Sequence, residues 1–360
     1  MANAARRPAG PNRVASPPAP VVPRLRPLGQ GAAIAMIGHA GLAVQRLHGT
    51  PDRRHLEWAA GLGLDRLELD VCHTADPVMV VRHDQRLEPG NVRLPRLLVT
   101  SAPTQGPASA RGRRGATPTI PAGTPVAALP LSTLRRLDPG LLTLDEAVEV
   151  IAGRVPLLLD LKGTVTASLI GRWLRGRRDA AGVAVCTPSI AALRELRVSA
   201  GRAERWPTIP EFGKRRRDRV AGALSTLWVT HRDPARVRHS LAELGHAIGE
   251  IQHSPQHAVA AVASLPWRWH LPELAARWAR EVRASGLCVP HWLLTAELCD
   301  TAHRLGLPLT AFTVNEDWAV RRVVELGATT LTTDEVERVR RLLRRWETEG
   351  ASGRAGDLVA

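Results

Sequence analysis

The sequence is poor in several residue types, and each shortage excludes a class of protein. Its 360 residues include no tyrosine, two phenylalanines and four cysteines. The cysteines are scattered without a C-x-x-C pair, which argues against a zinc ribbon or a disulfide framework and favours a reducing cytoplasm. No apolar run reaches about 18 residues, so the sequence predicts no transmembrane helix.

Basic residues outnumber acidic ones, and the net charge of +15 indicates an anionic partner such as a phosphate, a lipid headgroup or a nucleic acid. Nearly all are arginines, since the lysines are Lys162 and Lys214 alone. The tryptophans are not interleaved with the basic runs, which argues against a stacking platform for nucleic acid. The run "KRRRDR" (214–219) is interpreted as solvated, with docking to an anionic membrane surface as the alternative.

The composition divides the chain into one domain and three low-complexity segments. Residues 1–30 have no apolar core of a signal peptide and are expected to be a disordered Pro/Arg-rich tail. Residues 31–347 are expected to form one domain, interrupted by a flexible insertion at 88–130, and 348–360 to be a C-terminal tail. A cytoplasmic location is expected.

Short apolar runs alternate with helical patterns of about a dozen residues, which predicts parallel strands joined by helices. Strands are predicted at 31–38, 64–71, 76–84, 155–163, 182–189, 225–231, 307–315 and 328–334. About eight such strands favour a (β/α)8 TIM barrel over an open sheet. Helix starts are predicted at Asp52, Ser132 and at Thr143 followed by Glu146.

Polar residues stand at the ends of these strands, where a barrel of this kind carries its chemistry. The first four predicted strands supply His39, Glu68, Asp70, His83, Asp84, Asp160 and Lys162, and the last two end in Asn315 and Asp334. Glu68 and Asp70 are two apart, so their side chains share one face of a strand. Asp160 and Lys162 have the same spacing.

These residue types suit phosphoryl chemistry. Three carboxylates form an all-oxygen site for one divalent cation, Mg²⁺ or Ca²⁺, which neutralises charge on phosphate oxygens. A lysine beside them provides a point charge for the same phosphate. Two histidines on different strands can act as base and acid on opposite sides of phosphorus.

Each residue also has a plain structural interpretation. Glu68 and Asp70 would lie on a solvated strand face, and Asp160 would form a simple salt bridge to Lys162. His83 would be a core or rim histidine. Asn315 is either a substrate contact or a helix N-cap, and Asp334 is expected to cap the last helix.

The stretches "GHAG", "LGLDRLELDV", "VMVVRHD", "LLLDLKG", "LTAFTVN" and "ELGATTLTTD" resemble the glycerophosphodiester phosphodiesterases. The resemblance extends from about residue 33 to 345, with gaps at 88–130 and 200–285. The resemblance implies a TIM barrel in lipid metabolism with His39 and His83 as acid and base. It implies Glu68, Asp70 and Asp160 as ligands of one divalent cation and Lys162 as the phosphate contact. It also implies attack on phosphorus by the substrate glycerol's own hydroxyl.

Three departures from the family pattern bear on activity. The family's H-R-G is His39-Ala40-Gly41 here, so a phosphate-binding arginine is absent. No P-E-N-T-like turn follows, and the family's E-x-K reads D-L-K. Arg46, Arg53, Arg54 or Arg82 are candidates to replace the arginine.

Three functions follow as alternatives. The first is a phosphodiesterase that hydrolyses a small-molecule glycerophosphodiester to an alcohol and glycerol phosphate. The second is a protein that binds phosphate esters without turnover. The third is a basic adaptor for nucleic acid or a membrane surface, acting through 1–30, 88–130 and 214–219.

Overall fold

The computed structural model describes residues 34–43, 50–88, 99–100, 120–163, 167–177, 182–210 and 265–356. The predicted tail 1–30, the predicted strand 225–231 and the basic run 214–219 lie outside these residues, as does most of the predicted insertion. The described end of that insertion contains a two-residue strand and a turn of 3-10 helix, Val126–Ala128.

Eight parallel strands form the wall of a nearly closed barrel. The strands of the described residues are β1 (Ala35–Gly38), β2 (Arg66–His73), β3 (Met79–Val81), β4 (Val99–Thr100), β5 (Ile120–Pro121), β6 (Leu157–Leu161), β7 (Val183–Thr187), β8 (Glu204–Pro207), β9 (Leu287–Pro290), β10 (Leu309–Phe312) and β11 (Thr330–Thr333). The wall runs in the order β8-β7-β6-β2-β1-β11-β10-β9, and every neighbouring pair is parallel.

The barrel closes between β8 and β9. The Ile209 N–H donates to the carbonyl of Cys288 at 2.8 Å, and the Ser285 N–H donates to the carbonyl of Arg205 at 2.9 Å. Thr208 and Cys288 form an isolated parallel bridge at the same seam. The predicted (β/α)8 barrel is therefore confirmed.

Helices follow the strands around the outside of the barrel. Among the described residues they are α1 (Arg53–Ala59), α2 (Leu131–Leu137), α3 (Leu144–Ile151), α4 (Ala167–Arg175), α5 (Ile190–Ser199), α6 (Leu265–Val282), α7 (Ala296–Arg304), α8 (Asp317–Glu325) and α9 (Val336–Gly356). None of these is long and apolar enough to cross a membrane. The last helix continues beyond residue 347, where the sequence analysis ended the domain.

Two of the three predicted helix starts are confirmed. Asp52 caps α1 by accepting from the His55 N–H, and Thr143 forms a capping box with Glu146 at the start of α3. Ser132 is not an N-cap, because α2 begins one residue earlier with Pro130 in the capping position.

The third predicted strand is present, but its predicted parallel direction was wrong. β3 runs antiparallel to β2, with Val71 opposite Val81 and His73 opposite Met79, so it lies outside the parallel wall. The chain reverses in a tight turn in which the Thr74 hydroxyl accepts from the Val78 N–H. A three-residue apolar strand has no sequence feature that fixes its direction, whereas β8 and β9, which complete the wall, were missed.

Alternate residues of each strand face opposite sides of the barrel wall. Outward-facing side chains such as Leu67, Leu69 and Leu159 are fully buried beneath the helices. Inward-facing Leu158, Trp206 and others form a separate interior cluster. Polar inward-facing positions therefore have no contact with bulk solvent except at the two ends of the barrel.

Candidate functional site

Glu68, Asp70 and Asp160 come together inside the carboxyl end of the barrel. Each offers one carboxylate oxygen, and these three oxygens lie within 4.8 Å of one another. Asp70 and Asp160 are opposite each other in the β2–β6 ladder. Glu68 is 5% and Asp70 1% exposed, so the interpretation as a solvated strand face is wrong.

The acidic cluster leaves buried carboxylate oxygens without protein donors. One oxygen of Glu68 accepts the Ala40 N–H at 2.6 Å, while its second oxygen, Oε1, is buried with no hydrogen-bond partner among the described residues. Asp70 Oδ2 is likewise buried and unbonded. Burial and the neighbouring Asp70 charge raise the pKa of Glu68 well above its usual range, although His39 opposes this shift. Oxygens of this kind fit a hard cation such as Mg²⁺ or Ca²⁺.

Lys162 is held between two of these carboxylates. Its Nζ lies 2.9 Å from Asp70 Oδ1 and 2.5 Å from Asp160 Oδ2. The predicted salt bridge to Asp160 is therefore present and extends to Asp70. Burial lowers the pKa of Lys162, but the charges of Asp160 and Asp70 outweigh burial and raise it, so the ammonium is charged. One ammonium beside three carboxylates leaves a deficit of positive charge that a divalent cation would fill.

His39 is fixed by a hydrogen bond from the last strand. Its Nδ1 lies 2.8 Å from Asp334 Oδ1, and the second oxygen of Asp334 accepts from the Asn315 amide at 2.7 Å. The Asn315 carbonyl oxygen accepts in turn from the Thr333 hydroxyl and the Asp334 N–H. The bond at Nδ1 leaves Nε2 as the ring atom that can exchange a proton with a ligand.

The carboxylate of Asp334 keeps His39 protonated. Burial lowers the pKa of His39, but the hydrogen bond that its Nδ1–H donates to Asp334 and the charge of Glu68 outweigh burial and raise that pKa to about 9. Asp334 therefore holds a site residue, and the expectation that it caps the last helix was wrong. Its position directly after the last barrel strand was the sequence feature that could have revealed this role.

Asn315 does not cap the following helix. Glu316 occupies the N-cap position of α8, and the Asn315 side chain bonds to Thr333 and Asp334 instead. Its role as a substrate contact stays a prediction.

His83 follows the antiparallel strand and lies on the rim. The N–H of the preceding residue, Arg82, donates to the Asp70 carbonyl at 2.9 Å, so the backbone before His83 is level with the acidic cluster. Its side chain is 48% exposed, and Nδ1 lies 2.9 Å from Asp84 Oδ1. His83 thus has a carboxylate on one ring nitrogen, as His39 does.

Two of the candidate arginines are engaged elsewhere. Arg82 is 1% exposed, and its Nε donates to the Asp84 carbonyl at 3.0 Å. Arg53 is exposed and pairs with Glu57 on its own helix. Arg54 is exposed on α1, and Arg46 lies outside the described residues. Neither Arg82 nor Arg53 replaces the arginine absent at position 40.

The turn after β1 has an unusual backbone. Ala40, Gly41 and Leu42 have φ of 46°, 58° and 56°, a left-handed region that is costly for alanine and leucine. This conformation directs the Ala40 N–H at Glu68 Oε2. The turn thereby holds one oxygen of Glu68 and orients the carboxylate in the acidic cluster.

No protein-family model and no curated protein matches the sequence. Solved structures do match. A protein from Agrobacterium tumefaciens assigned as a glycerophosphoryl diester phosphodiesterase is 14% identical, with a TM-score of 0.56, over 88% of this chain and 100% of that one. A protein from Silicibacter pomeroyi with the same assignment is 20% identical, with a TM-score of 0.56, over 90% and 97%.

An Oleispira antarctica phosphodiesterase, solved in complex with the product sn-glycerol-3-phosphate, is 16% identical, with a TM-score of 0.53, over 86% of this chain and 96% of that one. At identities this low, a structural match establishes a common fold. The chain thus has the barrel fold of the glycerophosphodiester phosphodiesterases.

Proposed function

We propose that the protein is a divalent-metal-dependent phosphodiesterase that hydrolyses glycerophosphodiesters to an alcohol and glycerol phosphate. The observation that carries the proposal is the convergence of Glu68, Asp70 and Asp160 around unbonded oxygens beside Lys162. The fold supports it, since the Oleispira antarctica protein of this fold binds the product sn-glycerol-3-phosphate.

Glu68, Asp70 and Asp160 would hold one cation, Mg²⁺ or Ca²⁺. When bound, that cation neutralises the charge that develops on the phosphate oxygens. Lys162 would contact the same phosphate as a fixed positive charge, because the carboxylates on either side keep its ammonium at this position.

His39 and His83 divide the two proton transfers. The hydrogen bond to Asp334 raises the pKa of His39, which favours His39 as the acid that protonates the leaving alcohol. His83 acts as the base that takes the proton of the attacking glycerol hydroxyl. The oxygen of that hydroxyl forms a bond to phosphorus while the bond to the leaving alcohol breaks, and water then opens the cyclic phosphate.

A second candidate function is phosphate-ester binding without turnover. It is favoured by the loss of the arginine at position 40, where Ala40 is buried and has no side-chain donor. Removing a bidentate phosphate contact weakens stabilisation of the transition state more than a lysine can restore. This candidate requires the same acidic cluster and predicts metal-dependent binding of glycerol phosphate with no product release.

The test is hydrolysis of glycerophosphocholine, glycerophosphoethanolamine, glycerophosphoglycerol and an aryl phosphodiester with Mg²⁺, Ca²⁺ or chelator. The site variant is Glu68→Gln/Asp70→Asn, and Glu57→Gln, an exposed carboxylate on α1, is the matched control. We expect metal-dependent turnover that the site variant loses and the control retains. Turnover that survives the site variant or the chelator would contradict the proposal, and binding without turnover would favour the second candidate.

A further inference from the structure

The segment after β3 crosses the carboxyl end of β2. Arg82 N–H donates to the Asp70 carbonyl and Lys162 N–H to the Val71 carbonyl, each at 2.9 Å. Successive carbonyls of a strand point to opposite edges, so these two bonds lie on opposite sides of β2. The Gln85 side chain nevertheless contacts Gly163, the residue after Lys162. The chain therefore passes from one edge of β2 to the other between Arg82 and Gln85.

The crossing takes place on the face of β2 that carries the acidic cluster. Cys72 is two residues after Asp70, so its side chain shares that face. Its thiol donates to the Arg82 carbonyl at 3.1 Å. The opposite face is filled by Leu69 and Val71, which are fully buried beneath the helices. Gln85 thus reaches Gly163 from the inner side, close to Lys162.

Glycine at position 163 makes room for the Gln85 side chain. A Cβ there would collide with Gln85 Oε1 and would lie 2.9 Å from Gln85 Cδ. The φ of Gly163 is 59°, which also favours glycine. Gln85 is exposed, and its carboxamide has no hydrogen-bond partner in the part of the chain that the structure describes.

The backbone of this segment is rigidly held even though the amide is unbonded. The Gln85 carbonyl accepts from the Val126 N–H at 2.9 Å, and the Leu87 N–H donates to the Thr124 carbonyl at 2.9 Å. Arg86 points away from Gly163 and donates to the Gly123 carbonyl at 2.6 Å. The end of the predicted insertion therefore fixes the backbone at Gln85, whose side chain contacts Gly163, the residue after Lys162.

We propose that Gln85 contacts the bound phosphate ester and donates a hydrogen bond to it through the Nε2 amide. This inference rests on the proposed function. The neutral Gln85 amide would donate to the phosphate part of the hydrogen bonding that an arginine at position 40 would have supplied. Gln85 is an exposed donor whose side chain contacts the residue after Lys162, whereas Arg82 is buried and bonded to the Asp84 carbonyl.

The experiment measures sn-glycerol 3-phosphate binding by calorimetry, with Mg²⁺ and with chelator, for wild type, Gln85→Ala and Gln85→Glu. The control Arg86→Gln perturbs the same segment at a side chain that faces Gly123. We expect Gln85→Ala to weaken binding about tenfold, the effect of losing one hydrogen bond to a charged group. Gln85→Glu should weaken it further by adding negative charge, and salt should reduce that extra loss. The melting temperature of both variants should match the wild type.

Equal dissociation constants for wild type and both Gln85 variants would overturn the inference. An equal loss of binding affinity in Arg86→Gln would also overturn the inference, since a general disturbance of this segment's backbone would then explain the effect. If wild type also hydrolyses diesters in either case, the proposed function stands without Gln85. If wild type neither binds glycerol phosphate nor hydrolyses any diester, both proposals fall together.

Discussion

His39 and Asp334 are 295 residues apart in sequence, and their side chains meet at 2.8 Å across the seam between the first and last barrel strands. The contact follows from the register, because Gly38 is opposite Thr333 in the β1–β11 ladder and the next residue on each strand leaves the wall at the same level. The first histidine of the site is therefore oriented by the residue that follows the last barrel strand.

The Asp334→Asn variant should lower the pKa of His39. The hydrogen bond to Asp334 and the charges of Glu68 and Asp334 raise that pKa to about 9 against the effect of burial, and the amide removes the Asp334 charge. Because His39 acts in its protonated form, activity is lost as pH rises through its pKa. The alkaline limb of the kcat profile should shift to lower pH, and kcat at pH 8 should fall about tenfold for each unit by which the pKa of His39 drops below 8.

NMR titration of the His39 ring is the direct measurement, with His39→Gln as the assignment control. The variant Asn315→Asp tests the partner on the other oxygen of Asp334. It places a second carboxyl group beside Asp334 in place of the amide that donates at 2.7 Å. An alkaline limb that stays in place in Asp334→Asn would show that His39 is not the acid.

The short apolar runs of β1, β2, β6, β7, β10 and β11, alternating with helical patterns, were sufficient to predict the parallel barrel and the residues at its mouth. Burial on both faces makes such strands apolar except where they end, so the polar ends stand out. The pattern does not show which strands that are distant in sequence pair with each other. Asp334 was assigned to a helix cap because the contact with His39 depends on the β1–β11 register, which no local pattern specifies.

β8 was missed for a different reason. Its sequence, Glu204-Arg-Trp-Pro, has charged residues where a buried strand normally has apolar ones. Arg205 is buried, yet its guanidinium donates to the carbonyls of Val282 and Ala203, so the charge is satisfied by backbone. One of these partners, Val282, is 77 residues away and leaves no trace in the strand itself.

Glu68→Gln should stabilise the metal-free protein at neutral pH. The folded-state pKa of Glu68 is raised by burial and by Asp70, so the folded state favours the protonated form. Stability is therefore lost as pH rises from the unfolded-state pKa through the raised value, and the amide removes this loss. We therefore expect the variant to have the larger free energy of unfolding at pH 7 in chelator.

Urea denaturation across pH measures this gain, which should shrink toward pH 4.5, the ordinary pKa of the group. Saturating Mg²⁺ or Ca²⁺ should reverse the order, because wild type binds the cation more tightly than the variant. A wild type that stays less stable than Glu68→Gln at every cation concentration would contradict a metal site here.

Lys162→Met should change cation binding and phosphate binding in opposite directions. The ammonium lies 2.9 Å from Asp70 and competes electrostatically with a cation at the same carboxylates. Removing it should tighten Mg²⁺ or Ca²⁺ binding, measured by calorimetry, while KM for the diester rises about tenfold or more. Lys162→Arg retains the charge and should leave cation affinity near the wild-type value. Parallel loss of both affinities in Lys162→Met would show that the lysine serves only to hold the cluster together.

At the opposite end of the barrel, a substitution of Arg66 should lower the stability of the fold and leave catalysis unchanged. Arg66 donates to both carboxylate oxygens of Glu204 at 2.8 Å, and the Trp206 indole N–H donates to the same carboxylate at 3.1 Å. Arg66→Met leaves that carboxylate without its cation, which should cost roughly 3–5 kcal/mol in the free energy of unfolding. KM and kcat should not change, because the pair lies where β2 and β8 begin and the acidic cluster lies toward the carboxyl end.

The double variant Arg66→Met/Glu204→Leu should recover much of that loss, since it removes the unpaired charge together with its partner. Denaturant unfolding of Arg66→Met, of Glu204→Leu and of the double variant completes the double-mutant cycle. A double variant as unstable as Arg66→Met would mean that the arginine acts through its packing on Trp206, 5.3 Å from the ring centre, and not through Glu204. A fall in kcat without loss of stability would instead show that the two ends of the barrel are coupled.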